Sequence, residues 1–70
     1  MRKTEDLCQI VRNGGGLRID ATHYTTEDLA QIARNAAQKA SITFVGLSYK
    51  TTEDLCHIAR NGRGSVVFEL

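Results

Sequence analysis

Residues 25–35 read TTEDLAQIARN and residues 51–61 read TTEDLCHIARN, and the reading of this pair decides the fold. Nine of the 11 positions are identical, the exceptions being Ala30 against Cys56 and Gln31 against His57. Residues 4–13, TEDLCQIVRN, share 8 of 10 positions with residues 26–35. The copies start 22 residues apart, Thr4 to Thr26, and then 26 apart, Thr26 to Thr52. Those offsets fall in the range of about 20 to 50 residues over which one supersecondary unit repeats. The 70 residues are therefore expected to form one domain of three helix-then-strand units, at about 3–20, 25–46 and 51–70.

Within each copy the apolar residues recur at helical spacing: Leu7, Ile10 and Val11, then Leu29, Ile32 and Ala33, then Leu55, Ile58 and Ala59. Thr25 with Asp28, and Thr51 with Asp54, have the spacing of a capping box, in which hydroxyl and acid each satisfy a free backbone N–H at the helix start. Tyr24 precedes its cap and lies five residues before Leu29, the spacing of a hydrophobic staple. The first copy has Lys3 at the cap position, so its helix is expected to fray more.

Every copy runs into Arg-Asn. In the first and third, Gly14-Gly15-Gly16 and Gly62-Arg63-Gly64 follow and are predicted to stop the helix in the left-handed conformation that glycine tolerates. The second continues Ala36-Ala37-Gln38-Lys39-Ala40, which predicts a helix about one turn longer. Short apolar or alternating runs come next, Leu17 to Asp20, Ile42 to Val45 and Ser65 to Leu70, and these are predicted strands.

A helix between successive strands supplies the crossover that parallel pairing needs, and such crossovers are right-handed almost without exception. The fold class is accordingly α/β, a two-layer αβαβαβ repeat. Strand order 1-2-3 places the helices on one face of a three-stranded parallel sheet, whereas order 2-1-3 would cover both faces. Strands 1 and 3 alternate polar and apolar residues, which favours one covered face and the 1-2-3 order. Leu17-x-Ile19, then Tyr24-Thr25, then Leu29-x-x-Ile32-Ala33 resembles the strand-plus-helix turn of leucine-rich-repeat proteins, over about residues 17–70. That resemblance implies a stacked αβ architecture; the family's usual role, a concave surface that binds other proteins, is not carried over, three units being only a fragment of one. The family's asparagine ladder after the strand is missing, Thr22 and Leu47 or Ser48 standing there instead.

Composition bounds the function without naming it. Apolar residues at 41% and charged residues at 24% are those of a folding domain, and a net charge of +1 provides no field to draw in nucleic acid or an anionic membrane. Two cysteines are too few for a disulfide framework, and Met1 to Asp6 hold no apolar run, so a cytoplasmic location is expected. The glycine runs follow helices, where carbonyls rather than N–H groups are exposed, so they read as stops and not as phosphate cradles.

Arg12, Arg34 and Arg60 occupy one repeat position with Arg63 near, and a basic ridge of that kind is a candidate nucleic-acid contact. The competing account is that arginine at a helix C-terminus opposes the macrodipole, as the Glu-Asp pairs do at the N-termini. Cys8, Cys56, His23 and His57 form no CxxC or HxxxH pair, so no metal or other cofactor is expected. Both cysteines match Ala30 and read as small core residues. Cys56 and His57, adjacent on a helix, point about 100° apart and cannot act as a thiol-imidazole pair, which leaves only Cys8 with His57 or His23 as a minor enzymatic alternative.

One bare sheet face and two unpaired strand edges would remain. Arg18, Asp20, Val45, Val67, Glu69 and the terminal Leu70 are the candidate interface residues on that face and edge. The reading is a non-enzymatic interaction or scaffold module that forms a homo-oligomer, most simply a two-fold dimer, or binds another protein. Nucleic-acid binding through the arginine ridge is the alternative.

Overall fold

Thr25 and Thr51 start helices as their spacing predicts. The computed structural model describes residues 2–70. Helix α1 spans Thr4–Arg12, α2 Thr26–Ala36 and α3 Thr52–Gly62; strands β1, β2 and β3 span Leu17–Asp20, Ile42–Val45 and Val66–Phe68. At α2 the capping box closes in both directions, with Asp28 N–H donating to Thr25 Oγ1 at 3.1 Å and Thr25 N–H to Asp28 Oδ2 at 3.4 Å. Thr51 Oγ1 accepts from Asp54 N–H at 3.1 Å, while Lys3 caps α1 with no side-chain bond.

The sheet is three-stranded and parallel in the order β1-β2-β3. Ile42 pairs with Leu17 on one side and Val66 on the other, and Phe44 with Ile19 and Phe68. Along β2 the burial alternates, Ile42 and Phe44 closed and Thr43 and Val45 half-buried. Phe44 and Ile42 join Leu29, Ile32, Ile58 and Val11 in one core, so the helices cover one face of the sheet. Helix α2 lies between α1 and α3 as β2 lies between β1 and β3. No helix among the described residues is long and apolar enough to cross a membrane.

Several details depart from the expected pattern. Helix α2 is not a turn longer: it has 11 residues, as α3 has, and ends at Ala36. Gln38 takes the left-handed conformation at φ 63° and its N–H donates to Ser65 Oγ at 2.9 Å, so the chain turns there and enters β2 in register with β1. A further turn would carry the chain past the strand it must pair with. A 3₁₀ turn, η1 (Ala21–His23), follows β1 and was not legible, because its cap is an aspartate counted as a strand residue. Strand β3 is only three residues long, although Glu69 N–H still donates to Phe44 O at 2.9 Å beyond its end.

Gly62 is inside α3 and does not stop it; the left-handed turn falls on Arg63 and Gly64. Its role is close approach. A Cβ on Gly62 would overlap Val66 Cγ2 and touch Ala33 Cβ, so only glycine lets the end of α3 lie against α2 and the start of β3. Alanine gains up to about 1 kcal/mol in helix propensity, whereas overpacking costs about 1 to 3 kcal/mol. Val66 is β-branched and stiff, so the overlap wins. Gly62→Ala is expected to lower stability by about 1 kcal/mol in urea unfolding; an unchanged or raised midpoint would show that Val66 gives way.

Candidate functional site

Arginine followed by asparagine closes each helix, and the two side chains divide the work. The amide nitrogens of Asn13, Asn35 and Asn61 donate to the carbonyls of Gln9, Gln31 and His57 at 2.8, 2.9 and 2.8 Å. Each asparagine thereby bonds back to the carbonyl four residues earlier in its own helix, and the Oδ1 of Asn35 and of Asn61 accepts from the helix before. Arg12 Nε donates to Asn35 Oδ1 at 3.0 Å, and Arg34 Nε donates to Asn61 Oδ1 at 3.1 Å. A polar ladder thus ties α1 to α2 and α2 to α3. Among the described residues it has two loose ends, the Oδ1 of Asn13 and the guanidinium of Arg60.

The ridge expected from Arg12, Arg34, Arg60 and Arg63 is brought together in part. Arg34, Arg60 and Arg63 line a shallow groove with Ala37 and Asn61, between the C-terminal ends of α2 and α3. Arg12 stands one helix away, bonded to Asn35. Arg63 occupies the left-handed cap at φ 49°.

On the open sheet face, Arg18 Nη2 lies 2.8 Å from Glu69 Oε1, an ion pair between exposed side chains that links β1 to the segment after β3. Exposed pairs of this kind contribute little to stability. Asp20 is engaged elsewhere: its Oδ1 accepts from Thr22 Oγ1 at 2.6 Å and from Thr22 N–H at 3.0 Å. Those bonds, the hydroxyl's first, hold its carboxyl below the ordinary aspartate range. Val45 is half-buried, Val67 half-exposed, and Leu70 lies beyond the strand with 82% of its surface open.

The two cysteines part company. Cys8 is buried between α1 and α2, and burial pushes its thiol up from the ordinary value. Cys56 is exposed, which corrects its expected place in the core. The repeat position is the same, but α2 covers Cys8 and no helix among the described residues covers Cys56 in the same way. His57 Nε2 lies 3.4 Å from Glu27 Oε1 across the α2–α3 seam. No three His, Cys, Asp or Glu side chains converge among the described residues.

Equivalent positions of the three copies differ in which flank of the helix is covered. On the flank each helix turns to its successor, Cys8 and Ala30 are 2% and 1% exposed and Val11 and Ala33 fully buried, yet Cys56 and Ala59 are exposed. On the flank turned to the predecessor, Ile32 and Ile58 are fully buried, whereas Ile10 is only half-buried. Asp6 and Asn13 are likewise exposed where Asp28, Asp54, Asn35 and Asn61 are half-buried. Arg2, Asp6, Gln9, Ile10, Asn13 and Gly15 line a concave depression on this outer side of α1. The repeat itself carried the signal, since among three stacked copies the first and the third each pack on the second alone.

No protein family, curated protein or solved structure matches this chain.

The ladder is open to test by a double-mutant cycle. Asn35→Ala removes the acceptor for Arg12 and the donor to Gln31, and is expected to cost about 1 kcal/mol. Arg12→Ala should cost less, and the double variant should lose little beyond Asn35→Ala alone, giving a favourable coupling. Strict additivity in denaturant unfolding would remove the ladder as a source of stability.

Proposed function

We propose that this chain is a small non-enzymatic interaction module that self-associates through the end of the fold formed by α3 and β3. The observation that carries this reading is the uncovered apolar strip on that end. Cys56 and Ala59 lie open where the equivalent side chains of the first two copies are closed by a following helix. Among the described residues the edge of β3 beside them pairs with no strand, Val67 is 50% exposed, and Leu70 lies beyond β3. An apolar flank joined to an unpaired edge is a surface that another chain covers to advantage. A domain of this size buries only about 60% of the surface its unfolded chain exposes, so association adds stability that its own core does not provide.

Size-exclusion chromatography with light scattering across a micromolar concentration series is expected to give an apparent mass that rises above the 7.7 kDa of one chain. A constant monomer mass throughout that range would overturn the reading.

A second reading, an anionic polymer held by the arginine groove, draws support from the convergence of Arg34, Arg60 and Arg63. Such contacts are mostly to phosphate and lose affinity steeply with salt. Four aromatic side chains in the whole chain give it little means of stacking on bases. If the reading holds, filter binding of single-stranded RNA at low salt is retained by the wild type and lost in the Arg34→Glu/Arg60→Glu variant; equal retention by both would dismiss it.

A further inference from the structure

The two ends of the fold are the two halves of an interface that the chain already makes twice with itself. Between α1 and α2, the flank of Leu7, Cys8, Val11 and Arg12 meets the flank of Asp28, Ile32 and Asn35. Between α2 and α3 the equivalent flanks meet again, Arg34 Nε reaching Asn61 Oδ1 as Arg12 Nε reaches Asn35 Oδ1. What remains uncovered is one flank of each kind. Helix α3 presents Leu55, Cys56, Ala59 and Arg60, the donor half, and α1 presents Asp6, Ile10 and Asn13, the acceptor half. Beside them, β3 and β1 are the unpaired edges of a parallel sheet and run in the same direction.

From this, and resting on the reading that the chain self-associates, we propose that copies join head to tail, α3 and β3 of one against α1 and β1 of the next. The occupant of the α3 flank is the α1 flank of a second copy of this chain. Arg60 Nε then donates to Asn13 Oδ1 of the second copy, Ile10 of the second copy packs against Cys56 and Ala59, and β1 of the second copy extends the sheet in parallel. One further bond crosses the α2–α3 seam, Lys50 Nζ donating to Thr26 Oγ1 at 2.8 Å, and Arg2 and Thr52 hold the corresponding repeat positions for the next junction. Because the interface joins two different surfaces, it does not close on a two-fold axis and each added copy leaves both kinds of end open. The product is a growing stack of the same handed step as the internal repeats, not a dimer. Arginine at the donor end and aspartate at the acceptor end also favour this orientation over two donor ends meeting, which would bring Arg60 and Arg63 of both copies together.

End-blocked variants test the geometry separately from self-association itself. Cys56→Arg blocks the donor flank and Ile10→Arg the acceptor flank, with Ala59→Arg and Asp6→Arg as second variants at exposed positions where folding is not at risk. Wild type is expected to give light-scattering masses that pass twice the monomer as concentration rises. Each single variant should run as a monomer with unchanged far-UV circular dichroism. An equimolar mixture of one donor-blocked and one acceptor-blocked variant should give a 1:1 pair of twice the monomer mass, since each retains one intact end. Thiol labelling gives an independent reading: in dilute wild-type protein Cys56 reacts and Cys8 does not, and Cys56 labelling should slow at least tenfold as the mass rises. A concentration-independent monomer would sink the self-association reading and this one together. A dimer lost in Cys56→Arg and Ala59→Arg but kept in Ile10→Arg and Asp6→Arg would sink the head-to-tail geometry alone, two α3–β3 ends then meeting, whereas a dimer that survives all four variants would also remove the α3–β3 end as the contact.

Discussion

Every copy of the repeated segment carries an apolar stripe too wide for the sheet beneath it to cover. Its helix has two flanks besides the side that lies on the strands, and each flank closes only on a neighbour of the same kind. That requirement orders the helices as the strands are ordered, with α2 between α1 and α3. It also places the best-buried side chains in the middle unit, where Leu29, Ile32, Ala33, Ile42 and Phe44 are all fully buried. Stability in such a stack is the sum of unit and neighbour terms, so a short stack depends heavily on its few seams.

The seams combine apolar and polar contact. Small side chains, Cys8 and Ala30, let adjacent helices approach, and the Arg-Asn ladder at the C-terminal ends ties them at one height. The ladder changes the meaning of the arginines. Opposing the helix dipole accounts for their place in the sequence, but the structure gives two of them a second task, to bond the next helix. Among the described residues Arg60 makes no such bond. Of the four arginines of the ridge, Arg12 and Arg34 bond the next helix, and Arg34, Arg60 and Arg63 line the groove.

Much was legible in the chain itself, and for local reasons. The capping threonines, the three strands and the helix stop at Gly14 follow from short-range chemistry that a single copy contains. What escaped reading depended on distant atoms. The end of α2 is set by where β2 must enter the sheet, so Gln38 adopts a left-handed turn that its alanine-rich surroundings do not foretell. Gly62 looked like a stop and is a spacer, because Val66 and Ala33 crowd it from other elements.

Repetition by itself determined that three like units stack in sequence order, since near-identical segments with one apolar stripe share one shape and right-handed crossovers lay them side by side. Only the tertiary structure decided which copies are satisfied. Cys8 and Cys56 are the same residue at the same repeat position, one closed and one open, and nothing local distinguishes them. Burial belongs to the neighbour and not to the residue, and the neighbour exists only once the chain has folded.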